Sequence, residues 1–297
     1  MTATFFIIET APQFDFRGTV FSHGWYMLAP CSWDEETGAL STIYRRASGA
    51  VLRLELSAPE RRLRVDLPDL NRLGADLQPE IESLVRRMLS LDWDLRPFYA
   101  AMRGFAGYDW LEAEKRGRIL VGGSLWEDLA KVLLTTNTTW AQTVQNCARL
   151  CQLGTPHPSL PGRHAFPSAG QIAALDFDVF AEALRGGYRN AYLYELAGRI
   201  ANGGLDFDAW LSLDSEGLYA AVKSLKGFGD YAAGTIARMA GHFDRIAIDS
   251  ACREMYAALH NDGVKSSDAD IARHYAAFGQ WRGLVMWMDI MRRHYVV

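Results

Sequence analysis

The stretch SLKGFGDYAAGTIARMAGHFDRIAIDSACREM, residues 224 to 255, decides the fold of this protein. Gly227 and Gly229 stand one residue apart between two segments of helical spacing, LYAAVKSL before them and YAAGTIARMA after them. Glycine adopts backbone angles that other residues avoid, and it leaves neighbouring amides uncovered. The pattern therefore predicts two helices joined by a tight hairpin.

The start of the second predicted helix is suited to binding an anion. Its free backbone amides point outward at the positive end of the helix dipole, and a nucleic-acid phosphate matches such a site. Contacts of this kind hold a backbone without reading its sequence. We expect Lys226, Gly227 and Gly229 to make them. The alternative is an ordinary glycine-containing turn between two core helices.

A carboxylate follows the hairpin at a fixed distance. The apolar run Ile246-Ala247-Ile248 ends at Asp249, twenty positions after Gly229, and a new helical segment, SACREMYAAL, begins at once. Aspartate is favoured as a helix N-cap, so capping alone explains Asp249 on one interpretation. On the other interpretation, Asp249 is both the cap and a catalytic group.

The hairpin and the aspartate together resemble the helix-hairpin-helix GPD superfamily of DNA glycosylases, including its 8-oxoguanine and 3-methyladenine II branches. In that superfamily the hairpin has the form LPGxG, and the catalytic aspartate ends a VPVD-like run; here Lys226 and Ala247 stand where the prolines would be. The resemblance implies that a base is flipped out of duplex DNA and its N-glycosidic bond is cleaved. Asp249 would stabilise the oxocarbenium charge and orient or deprotonate water.

Three upstream segments extend the resemblance over roughly residues 120 to 260, in the order found in 8-oxoguanine glycosylases. They are LLTTNTT at residues 133–139, followed by a helix containing RLCQ, then HAFPS at 164–168 and GYRNAY at 187–192. Near the end of the chain, WRG at 281–283 is similar to the last helix of the 3-methyladenine branch.

The resemblance implies roles for individual residues in these segments. Asn137 would contact the orphaned base, Tyr188 would wedge into the base stack, and Arg189 would bond the orphaned base or its phosphate. The alternatives are a helix cap, a core ring and a solvated charge. Gln142 stands where 8-oxoguanine enzymes carry a second arginine, and Ala251 stands where they carry a histidine. The resemblance therefore does not extend to 8-oxoguanine specificity.

The position of the lyase lysine indicates how the sugar is attacked. Family members that cleave the strand carry a lysine two residues after the last hairpin glycine, and here that residue is Tyr231. We therefore expect a monofunctional enzyme that uses water and leaves an abasic site. We expect Tyr231 and Trp140 to line the base pocket; packing of Tyr231 on the core is the alternative.

Composition limits the cofactors and the compartment. The 297 residues include four scattered cysteines, none in a CxxC pair, and the net charge is -4. We expect reduced thiols in a cytoplasmic, nucleoid-associated protein, no iron-sulfur cluster and no other cofactor. The resemblance implies one structural ion, a Na⁺ or K⁺ on the hairpin carbonyls of Lys223, Leu225 and Phe228. The start MTATFFIIET has no basic segment, so we expect no signal peptide. The expected partner is double-stranded DNA, bound by a monomer without membrane contact.

The pattern of elements predicts an α+β fold in which a small antiparallel sheet precedes two helical domains. Strand-like runs occur at residues 4–9, 22–29, 39–45, 51–56 and 61–67, and helical spacing dominates from residue 78 onward. We expect a sheet domain with a flanking helix at 1–105, a helical domain at 106–214, and the hairpin with the C-terminal helices at 215–297.

Three functions remain open on the sequence. The first is excision of a damaged base such as an alkylated purine, for which the nine Trp and twelve Tyr residues suit a cationic base. The second is excision of a bulky modified cytosine from phage DNA, in antiphage defence. The third is a catalytically silent DNA-binding protein, which the presence of Asp249 disfavours.

Overall fold

The computed structural model describes residues 4 to 295, with side chains up to Arg292. Contacts divide the chain into two discontinuous units: unit 1 holds the residues up to Asp92 and Arg118–Leu205, and unit 2 holds Trp93–Gly117 and the residues from Asp206 onward. Among the described residues, every helix is too short or too polar to span a membrane. The three predicted domain boundaries stay predictions.

Unit 1 begins with an antiparallel sheet whose strands lie in the order β1-β5-β4-β3-β2. Leu52, Leu54 and Leu56 of β4 are buried, and they alternate with more exposed neighbours because successive strand residues point to opposite faces. The strands are β1 (Thr4–Ile8), β2 (Ser32–Asp34), β3 (Ala39–Arg45), β4 (Val51–Ser57) and β5 (Leu63–Leu67). The predicted α+β class with an N-terminal antiparallel sheet is confirmed.

One predicted strand is wrong, and one predicted loop is shorter than expected. Residues 22–29 form a short 3-10 helix at Gly24–Met27, because the His23 ring accepts the Trp25 amide at 3.2 Å and also bonds the Leu120 carbonyl. The sequence SWDEETG at 32–38 predicts a hairpin loop; its last four residues do connect β2 to β3, but its first three form β2, which pairs with β3.

The helices of unit 1 surround a second apolar core. Helix α5 (Leu125–Thr135) is buried over most of its length. The buried residues include Leu125, Leu129, Val132 and Leu133, which helical spacing places on one face. Tyr44 and Arg46 bind Glu80 of α2, which ties the sheet to that helix. Helices are numbered in order along the whole chain, so α3 and α4 belong to unit 2. The helices of unit 1 are α1 (Phe16–Val20), α2 (Leu77–Met88), α5 (Leu125–Thr135), α6 (Trp140–Cys151), α7 (Ala169–Ala173), α8 (Phe177–Leu184) and α9 (Arg189–Ala201).

Unit 2 consists of helices and irregular connections, without a strand among its described residues. Asp289 is fully buried, and its Oδ2 lies 2.9 Å from the hydroxyls of Tyr108 and Tyr275 and from Nε2 of His260, which joins three helices and the segment before α4. The unit contains α3 (Arg96–Met102), α4 (Trp110–Ala113), α10 (Phe207–Leu211), α11 (Ser215–Lys223), α12 (Asp230–Met239), α13 (Ser250–His260), α14 (Asp268–Ala276) and α15 (Arg282–Tyr295).

Candidate functional site

Asp249 caps helix α13 in unit 2. Its extended backbone (φ -128°, ψ -169°) and a 2.8 Å hydrogen bond from the Cys252 amide to Oδ1 are those of an N-cap. The carboxylate is half-buried, and this bond is the one it accepts among the described residues. Capping therefore fixes the side chain while Oδ2 keeps its capacity to bond water or a sugar.

Two glycines hold the chain that leads to Asp249. A Cβ on Gly234 of α12 would lie 2.9 Å from the Ile246 carbonyl oxygen, and a Cβ on Gly283 of α15 would lie 2.0 Å from that of Arg245. The Gly283 amide also donates to the Phe243 carbonyl at 2.7 Å, and Arg282 Nε donates to the Asp244 carbonyl. The WRG segment therefore clamps the backbone just before the candidate catalytic residue.

The predicted hairpin is present between α11 and α12. Leu225 and Phe228 are buried and anchor it, whereas Lys226, Gly227 and Gly229 are exposed. Gly227 has φ +87°, a left-handed value that favours glycine, and Gly229 is the N-cap residue of α12. The three predicted backbone-contact positions therefore share one accessible surface.

The hairpin also carries a negative charge beside the proposed phosphate site. Asp230, the first residue of α12, accepts a hydrogen bond from Tyr219 at 2.6 Å and pairs with Lys223 at 2.5 Å. The bonds from Lys223 and Tyr219 hold the pKa of this carboxyl below its ordinary value. The Leu225 carbonyl accepts the Phe228 amide at 3.2 Å, which leaves its second lone pair for the predicted cation.

Arg238 is a component of this region that sequence reasoning missed. It lies on α12 with 2 % of its surface exposed, and its guanidinium carbon is 4.4 Å from the centroid of the Trp287 ring. Tyr231 and Asp249 both act electrostatically on this guanidinium. The sequence signal for this residue was an arginine within the mostly apolar run TIARMA. Charged side chains are rarely buried unless they are paired, so an arginine in such a run indicates a candidate functional residue.

Unit 1 brings together Asn137, Tyr188 and Arg189. Asn137 connects α5 and α6 in the left-handed region (φ +47°), and its amide nitrogen donates to the Tyr188 hydroxyl at 3.1 Å. Tyr188 remains 49 % exposed, directly before α9. Burial opposes the change, but bonds from Thr136 and Asn137 and the charge of Arg189 lower the Tyr188 pKa. The tyrosine is therefore fixed at its hydroxyl end and at the ring face beneath Arg189, while about half of its surface remains exposed.

Arg189 does not have the exposed geometry that its predicted DNA contact requires. Only 7 % of it is exposed; Nε donates to the Thr136 carbonyl at 2.9 Å, Nη2 donates to the carbonyls of Thr136 and Asn137, and Nη1 donates to that of Gly186. The guanidinium is thus committed to the backbone of the Asn137 turn. Its direct contact with an orphaned base or phosphate stays a prediction, and the geometry favours a positioning role.

Two further unit 1 positions have local structural functions. Gln142 completes a capping box with Thr139 at the start of α6, and its Oε1 accepts the Thr139 amide at 3.1 Å. Trp140 is 41 % exposed, and its ring packs where a Cβ on Gly24 would lie 2.1 Å from Cζ2. Trp140 belongs to unit 1 and Tyr231 to unit 2, so their shared base pocket stays a prediction.

Comparison with solved structures identifies the fold. An 8-oxoguanine glycosylase/lyase from Clostridium acetobutylicum in its apo-form aligns over 98 % of both chains, with TM-score 0.74 and 16 % identity. The same bacterial enzyme with double-stranded DNA containing cytosine opposite 8-oxoguanine aligns over 99 % of both chains, with TM-score 0.73 and 16 % identity. A 3-methyladenine DNA glycosylase from Archaeoglobus fulgidus aligns over 99 % of both, with TM-score 0.74 and 16 % identity.

The protein therefore has the fold of helix-hairpin-helix DNA glycosylases, as the sequence resemblance implied. No protein-family profile and no curated protein matches the sequence. At this level of identity the likeness establishes the architecture, and the activity rests on the residues of the site.

Proposed function

We propose that this protein is a monofunctional DNA N-glycosylase, which flips a damaged or modified base out of double-stranded DNA and hydrolyses its N-glycosidic bond. One observation carries the proposal: Asp249 caps α13 with Oδ1, at the end of a run that glycine contacts fix in place. A carboxylate held this way can act without reorganisation when charge develops on the sugar. The fold shared with known glycosylases supports the same conclusion.

Asp249 has two tasks in the proposed reaction. Its negative charge stabilises the oxocarbenium character that develops at C1′ as the bond to the base breaks. Its Oδ2 then orients the attacking water and accepts its proton. The N-terminus of α13 makes this a favourable position for an anion.

The hairpin supplies the proposed grip on the DNA backbone. Gly227, Gly229 and the amides at the start of α12 face solvent beside the exposed Lys226, as a phosphate contact requires. A Na⁺ or K⁺ on the carbonyls of Lys223, Leu225 and Phe228 would supply positive charge for the same phosphate. Asp230 lies next to this site, so its ion pair with Lys223 would weaken repulsion of the phosphate.

The unit 1 cluster supplies the proposed response to the flipped nucleotide. The exposed ring of Tyr188 would replace the stacking that the extruded base loses, and Asn137 would meet the orphaned base. Arg189 would keep the turn of Asn137 in its left-handed conformation. Binding would involve one copy of the protein, in the cytoplasm where the DNA lies.

Tyr231 is the basis for the monofunctional assignment. A phenol cannot form the Schiff base that a lyase lysine forms, so water remains the nucleophile and the strand stays intact. The monofunctional assignment is contradicted if purified protein nicks an abasic duplex without alkali.

The decisive experiment is single-turnover base release from a panel of duplexes, with wild type and Asp249→Asn compared. The panel holds alkylated purines, 8-oxoguanine, uracil and phage-type modified cytosines, and alkali cleavage reveals abasic sites. We expect Asp249→Asn to reduce release at least about 10³-fold. Asparagine caps helices as well as aspartate, so the melting temperature and DNA affinity should stay unchanged.

Asp214→Asn is the matched control. Asp214 caps α11 in the same unit, with the same 2.8 Å bond to a backbone amide, and it has no proposed role in catalysis. This variant should release the base at the wild-type rate. Equal losses in both variants, or full activity of Asp249→Asn, would refute the assignment, and DNA binding without release on every duplex would favour the silent DNA-binding protein.

A further inference from the structure

Arg238 is a buried charge for which the proposed mechanism has no use. Within the described residues its Nη1 is buried without a hydrogen-bond partner, and its one aromatic contact is the Trp287 ring at 4.4 Å. A guanidinium removed from water without such partners is costly, and an apolar side chain would fill the same space better. The electrostatic effect of Arg238 on its surroundings is the property that an apolar residue could not supply.

The surroundings of Arg238 are the proposed catalytic groups of unit 2. Tyr231 and Arg238 are seven positions apart on α12, two helical turns, and therefore lie on the same face. Burial lowers the pKa of Arg238 to about 10, while Tyr231 and Asp249 oppose that shift. At neutral pH the group is still a cation, and the charges of Tyr231 and Asp249 act on it.

We propose that Arg238 determines the charge class of the excised base: the enzyme acts on a neutral base that leaves as an anion, and it discriminates against cationic N-alkylated purines. The inference rests on the proposed glycosylase function and specifies its substrate. It excludes cationic alkylated purines such as 7-methylguanine from the first enzymatic hypothesis, and it leaves the neutral oxidised or deaminated bases and the neutral modified cytosines of the second.

The chemistry of the leaving group gives the reason. When the C1′–N bond of a neutral nucleotide breaks, both bonding electrons go to the base nitrogen, and the base becomes an anion. The oxygen of water then bonds to C1′, its proton passes to the Asp249 carboxylate, and this proton finally neutralises the base. A buried cation on the same face of α12 as Tyr231 stabilises the anion as it forms, and it does so most strongly in the transition state.

A cationic base gains nothing from this arrangement. It leaves as a neutral molecule, so no negative charge develops on it for Arg238 to stabilise. Before bond cleavage it carries the same charge as the guanidinium, and repulsion between like charges is strong where water is excluded. Asp249 attracts positive charge, but its partner in the transition state is the sugar rather than the base.

The test compares two duplexes that differ in one charge. Each carries a 2′-fluorinated nucleotide that resists cleavage, either cationic 7-methylguanine or its neutral isostere 7-deaza-7-methylguanine, opposite a tetrahydrofuran abasic site. Competition binding with the full-length protein gives the ratio of the two dissociation constants. We expect wild type to prefer the neutral isostere at least about tenfold.

Variants identify the source of the preference. Arg238→Met should abolish it, and Arg238→Lys should keep most of it because the charge remains. Arg253→Met is the matched control: this arginine also acts on Asp249, but it is exposed and paired with Asp268 at 2.7 Å, so its removal should leave the ratio unchanged. If Arg238→Met fails to fold, Arg238→Gln, which removes the charge and keeps a polar side chain, should abolish the preference in the same way.

The possible outcomes separate this inference from the function on which it rests. Equal binding of both duplexes by wild type, a preference for the cation, or an unchanged ratio in Arg238→Met overturns the role of Arg238 alone. Failure to bind either duplex overturns the inference alone, because the proposed glycosylase function is decided separately by base release from the duplex panel. Base release from a neutral lesion, with the predicted binding ratio, supports both.

Discussion

The two units each contain a buried arginine beside an aromatic ring, and the two arginines differ in how they are satisfied. Arg189 in unit 1 lies 4.6 Å from the Tyr188 ring, and it donates to backbone carbonyls through Nε, Nη1 and Nη2. Arg238 in unit 2 lies 4.4 Å from the Trp287 ring, and its Nη1 has no partner among the described residues.

The difference distinguishes a structural charge from a functional one. A guanidinium whose donors are all used stabilises the conformation that it bonds, and removing it leaves carbonyls unsatisfied. A guanidinium left without partners destabilises the folded state, and such a group is retained where its field acts on something else. We therefore infer that Arg189 stabilises the conformation of the Asn137 turn, and that Arg238 acts through its positive charge.

The largest effect is expected from a change at the backbone contact that fixes Asp249. This contact does not depend on either arginine. Gly283→Ala would force its Cβ to within 2.0 Å of the Arg245 carbonyl, so the segment before Asp249 must move. We expect a loss of about 3 kcal/mol of unfolding free energy and most of the base release. Urea denaturation and single-turnover kinetics measure both. Gly198→Ala, a helix position with open space, should be neutral or stabilising.

Replacing the satisfied arginine tests the structural half of the comparison. Arg189→Met leaves three carbonyls without their donor, and we expect it to lower the free energy of unfolding by about 2 kcal/mol. Thermal or urea denaturation provides the measurement. Arg199→Met, on the exposed face of the same helix, should change stability by less than about 0.5 kcal/mol. Similar values for the two variants would contradict the structural role.

Replacing Arg238 tests the functional half of the comparison. Here the informative quantity is the sign of the change in the free energy of unfolding. Arg238→Met removes a buried charge and keeps an apolar stem, so we expect stability to be unchanged or to rise by about 1 kcal/mol. The same denaturation assay applies. A loss as large as that of Arg189→Met would show that Arg238 is a structural charge, and the two arginines would then no longer differ in kind.

The smallest expected effect concerns the position where 8-oxoguanine enzymes carry a second arginine. Gln142→Ala removes one half of a capping box, and we expect it to cost about 0.5 to 1 kcal/mol without changing opposite-base preference. Gln171→Ala removes the equivalent half of the Ser168 capping box and should cost the same. A changed opposite-base preference in Gln142→Ala alone would assign that glutamine to DNA recognition.

Most of the fold was predictable because its signals are local. Alternating burial in β4 and β5, helical spacing after residue 78 and the paired hairpin glycines each follow from the conformational preferences of adjacent residues. The segment at 22–29 was wrong for the complementary reason. Its apolar and aromatic residues favour a strand, but the bond from His23 to Leu120, 97 positions away, supports a 3-10 turn instead.

The features of the candidate site also divide into those that local sequence predicts and those that depend on contacts between distant residues. The sequence by itself determined the hairpin, the capping position of Asp249 and the replacement of the lyase lysine by Tyr231, since each is a residue type at a fixed spacing. Only the tertiary structure decided that Arg189 donates to backbone carbonyls through all three nitrogens, while Arg238 is enclosed with an Nη1 that has no hydrogen-bond partner among the described residues. Both are arginines on helices in the sequence, and their difference arises from burial and from hydrogen-bond partners that chain folding brings to one of them and not to the other.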